Sequence, residues 1–83
     1  MLDVDQDVLG LSKKAEHFYN SVKAVHVKFK KGYWKNGYIK EVSADFFILD
    51  EFLDGEIPCF FFQIEDIELY TIDSFKRVKD GTN

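Results

Sequence analysis

The pattern of apolar and polar positions changes period once along this chain, close to residue 22. Before that point Val4, Val8, Leu11, Ala15 and Phe18 recur in steps of three and four, which lays a single apolar stripe along a helix. The stripe predicts a helix over residues 4–20, with Asp3 or Asp5 to cap its start and Asn20 suited to its end. Gly10 in its interior costs about 1 kcal/mol relative to alanine, the alternative being first turns that fray. After Ser21 the period becomes two. Val25, Val27 and Phe29 alternate with His26, Lys28 and Lys30, as in a strand with one face in a core and the other outward.

Alternation and turn signals predict five short strands, over residues 23–30, 33–43, 45–52, 56–63 and 66–72. Gly32 turns the chain after the first. Gly37 interrupts the second, where an isolated glycine marks a sharp bend or a close approach of backbone. Ile39 and Val42 lead on to Phe46, Phe47, Ile48 and Leu49, and Asp54-Gly55 signals a hairpin because both residues tolerate positive φ. The expected architecture is mainly β: an N-terminal helix followed by one strongly bent, small barrel over residues 23–72, with a short tail at 73–83, all within a single domain.

Pro58 cannot donate to a ladder, so the fourth strand belongs at an edge. Its run Phe60-Phe61-Phe62 is apolar on both faces, whereas one face of an antiparallel sheet ordinarily meets water. The fifth strand alternates Ile67, Leu69 and Thr71 with Glu68, Tyr70 and Ile72, which suits pairing along an edge. Two unprotected edges aggregate unless copies pair edge to edge in a closed ring. Pro58, Phe60, Phe61, Phe62, Ile67, Leu69 and Tyr70 are therefore the expected subunit contacts. At 83 residues, a shared interface also supplements a marginal core.

Charge changes this picture by being uneven. The net charge is -4, yet Lys23, Lys28, Lys30, Lys31, Lys35 and Lys40 lie in one stretch without an acid, while residues 41–73 hold ten acids and no Lys or Arg. An acidic balance argues against non-specific nucleic-acid binding but leaves room for a local basic site. With Val25, Val27 and Phe29 inward, Lys28 and Lys30 face out and join Lys31, Trp34, Asn36 and Tyr38, a lysine and aromatic surface of the kind on which single-stranded bases stack. The bland alternatives are a solvated face for the lysines and rim packing for Tyr33 and Trp34.

The single cysteine, Cys59, excludes an internal disulfide and zinc-type spacing, and reads as a small buried hydrophobe. His17 and His26 have no second ligand at metal spacing and read as ordinary polar residues, His26 on the outward side of its strand. The acids Asp50, Glu51, Asp54 and Glu56 flank a hairpin without a cation-binding loop motif and read as a solvated turn. No nucleophile with a base and no phosphate-cradling glycine loop is present. The chain thus reads as a binding protein rather than an enzyme, with no cofactor, no metal and no membrane span, and with a cytoplasmic location. The tail carries Phe75, Lys76, Arg77, Val78 and Lys79 and reads as a flexible end.

The helix, the five bent strands, the Gly32 and Gly37 pair and the fifth-strand Asp66-Ile67 together resemble the Sm/LSm/Hfq family over about residues 5–72. The run Val25 to Gly32, followed by Gly37 to Val42 and Phe46 to Leu49, is similar to the first Sm motif in the length of bacterial Hfq-type members. Phe62 to Ile67 lies where the second motif would fall. The resemblance implies a five-stranded SH3-like barrel whose fourth and fifth strands join neighbours into a homo-oligomeric ring of about five to seven copies. It also implies single-stranded RNA as partner, bound at loops around the pore. Those positions here are Ser43, then Asp45 or, with a one-residue shift, Phe46, and in the second motif Gln63, Ile64 and Glu65, so the usual basic residues are absent. A pore lined by Asp45, Glu65 and Asp66 repels phosphate. The strand-two surface, which Hfq-type proteins use for purine-rich RNA, is the better expectation. Lys35 stands where the family has an apolar residue, so either the register slips by one or Trp34 fills that pocket. Two functions follow: a ring that binds single-stranded RNA in RNA metabolism or regulation, or a ring that serves as an assembly or protein-interaction module.

Overall fold

The computed structural model describes residues 6–71. Helix α1 spans Gln6–Ser21 and runs through Gly10 without interruption. The expected caps Asp3 and Asp5, and the tail from residue 73, lie outside the described residues. The helical stripe is as anticipated: Leu11 and Ala15 are buried, and Val8 and Phe18 pack against the same core. The helix ends differently, however. Lys23 N donates to Phe18 O at 3.2 Å and Val22 N to Tyr19 O at 3.3 Å, the paired bonds of a Schellman cap, with Val22 rather than Asn20 in the left-handed conformation at φ 54°. A β-branched residue is a poor fit there.

Five strands follow: β1 Ala24–Phe29, β2 Trp34–Val42, β3 Phe46–Glu51, β4 Gly55–Phe60 and β5 Ile64–Leu69. They form one antiparallel sheet in the order β4-β3-β2-β1-β5, so β4 and β5 are the two open edges. The fold is thus a helix and five antiparallel strands in a bent, open sheet. Three devices shape it. Gly32 at φ 101° closes the β1–β2 turn. Irregular register at Lys28/Phe29 against β5, and at Ile39/Glu41 against β3, each leaves an extra residue on one strand, Glu65 and Lys40, which raises local twist. Gly37 lets β2 lie against β3 so closely that a Cβ there would fall on the Asp50 carbonyl and 2.8 Å from Glu51 Cα. Of the two readings of Gly37, a sharp bend or a close approach of backbone, the close approach is the one observed.

The inner face gathers Val25, Val27, Phe29, Ile39, Phe47, Leu49, Cys59, Phe61, Ile64 and Ile67 with the helix residues Leu11 and Ala15 into one core. Each large side chain buried here contributes about 1.5–3 kcal/mol. The run Phe60-Phe61-Phe62 was expected to continue β4 to Gln63; instead the chain turns at Phe61–Gln63 in a short 3₁₀ segment. That turn drives Phe61 into the core beside Phe47, at a ring separation of 5.6 Å, while Phe60 and Phe62 stay exposed. It also starts β5 two residues earlier than the alternation suggested.

The β3–β4 connection is held by a buried acid. Glu51 is 7% exposed, and its Oε1 accepts bonds from Leu53 N at 2.8 Å and Asp54 N at 2.7 Å, with Gly55 at φ 78° completing the hairpin. Lys35 resolves neither of the two ways expected. Val27 faces Lys35 and His26 faces Asn36, so the register does not slip; Trp34 lies on the opposite face, and the Lys35 ammonium reaches out from the core side to Asp54 Oδ2 at 3.0 Å. That hydrogen bond and the charge of Asp54 raise the Lys35 pKa.

Candidate functional site

The residues singled out in the sequence fall into three neighbouring groups. On the outer sheet face Trp34 is 41% exposed and lies over His26, with ring centroids 6.0 Å apart. His26 does point away from the core, but it is not a solvated polar residue. It is 6% exposed, and its Nδ1 is 2.6 Å from Asn36 Oδ1. Trp34 and the flanking strands cover it, and its partner satisfies the polarity that burial would otherwise penalise. Asn36 is therefore engaged with His26. Lys28 is engaged too, with Glu68 Oε2 at 3.3 Å.

The second group surrounds the β1–β2 turn. Phe29, Lys30, Lys31, Tyr33, Phe62 and Gln63 line a cleft of about 380 Å³. Tyr33, 45% exposed, stacks on Phe29 at 4.5 Å and 10° between planes, which holds its ring rigid with one face free. Lys30 N donates to Gln63 O at 2.9 Å, tying the turn to the 3₁₀ segment. Lys30 and Lys31 are exposed, and no carboxylate among the described residues forms an ion pair with either. Here the fold brings together three sequence candidates, Lys30, Lys31 and Gln63, and adds Tyr33 and Phe62.

Ser43, Asp45 and Phe46 make the third group at the β2–β3 turn. Ser43 N donates to Phe46 O, and Asp45 O accepts from Phe61 N at 2.9 Å. Phe46, Phe60 and Phe62 form an aromatic ladder with centroid separations of 5.3 and 6.1 Å. A hollow of about 340 Å³ between Val8, Asp45, Phe60, Phe61 and Phe62 adjoins it, so Phe62 belongs to this hollow and to the lysine cleft alike.

Among the expected subunit contacts, Pro58, Phe60, Phe62 and Leu69 are exposed on or beside the two edge strands, and Tyr70 is half-buried. Phe61 and Ile67 are a correction: at 1% and 0% exposure their side chains belong to the chain's own core, because the 3₁₀ turn and the β5 pleat point them inward.

A third concavity, of about 650 Å³, was not anticipated. Tyr19, Asn20, Val22 and Lys23 at the helix end face Tyr38, Lys40 and Asp50 across it. Asn20, Lys23, Tyr38, Lys40 and Asp50 stand out in the sequence in other connections, but nothing there brings them together, because helix and strand residues share no period that would pair them. Nearby, Asp66 accepts from Lys14 Nζ at 2.6 Å and from Ile67 N at 2.8 Å. Partial burial pushes the Asp66 carboxyl up, but the Lys14 bond, the Ile67 N–H and the charges of Lys14 and Lys28 outweigh it and hold the group below its ordinary value. Burial pushes the Cys59 thiol up to about 12, as expected of an unreactive core residue. Among the described residues no group of His, Cys, Asp or Glu is placed to hold a metal ion. Nor is any helix there long and apolar enough to cross a membrane.

No family model and no curated protein matches this sequence. A solved structure does: the crystal structure of the pleiotropic translational regulator Hfq superposes with a TM-score of 0.62 at 21% identity, covering 69% of this chain and 93% of that one. The fold is therefore Sm-like, and the architecture anticipated from the sequence is the one observed.

Proposed function

We propose that this chain is a ring-forming Sm-like protein that binds single-stranded RNA and acts in RNA metabolism or regulation. The observation that carries the reading is the cleft at the β1–β2 turn, where Lys30 and Lys31, which form no ion pair among the described residues, flank a Tyr33 ring stacked on Phe29. Phosphate needs cations that are not already neutralised, and a base needs an aromatic face that is held in place. Trp34, on a rigid bed of His26 and Asn36, supplies a second exposed face. Likeness to the translational regulator Hfq supports the same reading. Support for a ring comes from the two open edges, β4 with Phe60 and β5 with Leu69, which a neighbouring copy can join by strand pairing.

Native mass spectrometry with and without oligonucleotide, together with anisotropy on short poly(A) and poly(U), tests both parts. The expected result is one closed oligomer that binds at least one of the two RNAs, more weakly as salt rises. A monomer at micromolar concentration removes the ring. Failure to bind either RNA at low ionic strength removes the RNA.

One observation favours a second reading, a ring that serves as an assembly or protein-interaction module. Lys28 and Lys35 of the basic stretch are matched to Glu68 and Asp54, and Lys14 on the helix to Asp66, so part of the positive charge is neutralised within the chain. Nuclease-insensitive co-purification with a stoichiometric protein would support it.

A further inference from the structure

The outer face carries an aromatic cluster that lies outside the lysine cleft. The Phe52 ring meets Tyr38 at 6.0 Å and 72°, and Tyr70 at 5.3 Å and 76°. Edge-to-face contacts of this kind leave ring faces open, and Tyr38 and Phe52 are 44% and 49% exposed. The small side chain of Ala24 lies between the two tyrosines. Ala24 faces Tyr38 in the β1–β2 register, and Tyr70 N donates to Ala24 O at 3.0 Å, so the two tyrosines flank it. The same transverse row continues from Tyr38 to Asp50 and on to Glu56. Neither carboxylate forms an ion pair among the described residues. Asp50 also borders the concavity that Lys23 and Lys40 line, whereas Glu56 does not.

We propose that the chain's own segment 75–79, Phe-Lys-Arg-Val-Lys, docks on the Tyr38–Phe52–Tyr70 surface with its basic side chains toward Asp50 and Glu56. Three features select this occupant. Phe75 and Val78 supply apolar groups for the exposed ring faces, while Lys76, Arg77 and Lys79 are the only cations after Lys40 and match the two carboxylates. Cations over Tyr and Phe faces add an attraction of their own. The third feature is reach. The described chain ends at Thr71, beside Tyr70, and four further residues span up to about 13 Å, against ring separations of 5.3 and 6.0 Å within the cluster. So short a tether keeps the segment at roughly millimolar effective concentration, where a weak contact is enough. This contact does not depend on RNA binding.

Methyl NMR on the full chain tests it. The Val78 methyls are expected upfield of their free-peptide positions through the ring currents of the cluster. They should return to those positions in Phe52→Ser, in Lys76→Glu/Arg77→Glu, and at high salt. Phe52 lies in an exposed hairpin loop, so Phe52→Ser leaves the core folded, and the Val27 and Ile67 methyls provide the internal control. Val78 at its free-peptide position in the unsubstituted chain overturns the proposal. So does an upfield shift that persists in both variants.

Discussion

A Cβ on Gly37 would land on the carbonyl oxygen of Asp50, because β2 crosses β3 at backbone contact distance. The obstacle is main chain, which cannot rotate away as a side chain would. Gly37→Ala is therefore expected to destabilise the fold by about 3 kcal/mol, at the upper end of overpacking costs. Urea denaturation monitored by Trp34 fluorescence measures this, and a loss below about 1 kcal/mol would show that the sheet can open there.

Val22 holds a left-handed conformation at φ 54° to close the Schellman cap of α1. The conformation costs an L-residue about 1–2 kcal/mol, and Val22 is 76% exposed, so little packing is lost on replacing it. Val22→Gly is expected to raise stability by about 0.5–1 kcal/mol, visible as a higher melting temperature.

Among the described residues Lys30 and Lys31 form no ion pair, whereas Lys28 is paired with Glu68. Substituting both Lys30 and Lys31 by alanine should weaken RNA binding at every sequence and lower the salt slope, while Lys28→Ala should do little. Trp34→Ala should cost about 1–3 kcal/mol if a base stacks on the indole. Equal effects of Lys28 and of Lys30 with Lys31 on the salt slope would contradict this arrangement.

Asp66 is held below its ordinary value by Lys14 and the Ile67 N–H, against partial burial that acts the other way. A depressed carboxylate stabilises the fold above its unfolded value of about 4, and that contribution disappears as pH falls through the lower folded value. Stability should thus decline on acidification, less steeply in Lys14→Met. At neutral pH the same change should cost well under about 1 kcal/mol, since both partners are partly exposed and screened. Melting temperature against pH for the two proteins checks the sign.

Phe61 and Phe62 are adjacent, but at 1% and 64% exposure they have opposite roles. Phe61→Ser should remove about 3–5 kcal/mol and leave little folded protein. Phe62→Ser should leave the monomer's stability within about 0.5 kcal/mol while shifting assembly toward smaller species. Denaturation combined with light scattering separates the two.

Residues whose surroundings are set by local period were legible beforehand. Val25, Val27 and Phe29 alternate inward as expected, and Leu11 and Ala15 fall on the buried helix stripe. Gly32 announced its turn and Gly37 its close approach to β3, because only a missing side chain permits either. Less was legible where burial depends on a distant partner. His26 is outward by its period yet buried, because Trp34 from the next strand covers it and Asn36 satisfies it. Three consecutive phenylalanines have no period, so nothing local could say that Phe61 would turn inward on a 3₁₀ segment between two exposed neighbours.

The sequence by itself determined the element order, the apolar faces and the places where the chain must bend, since these follow from helical and strand periods and from glycine stereochemistry. Tertiary structure alone decided which lysines are paired. Lys14 meets Asp66 across 52 residues and Lys35 meets Asp54 across 19, pairings set by how the sheet curls. Lys30 and Lys31, in the β1–β2 turn, meet no carboxylate among the described residues, because the fold sets them against Phe62 and Gln63 instead.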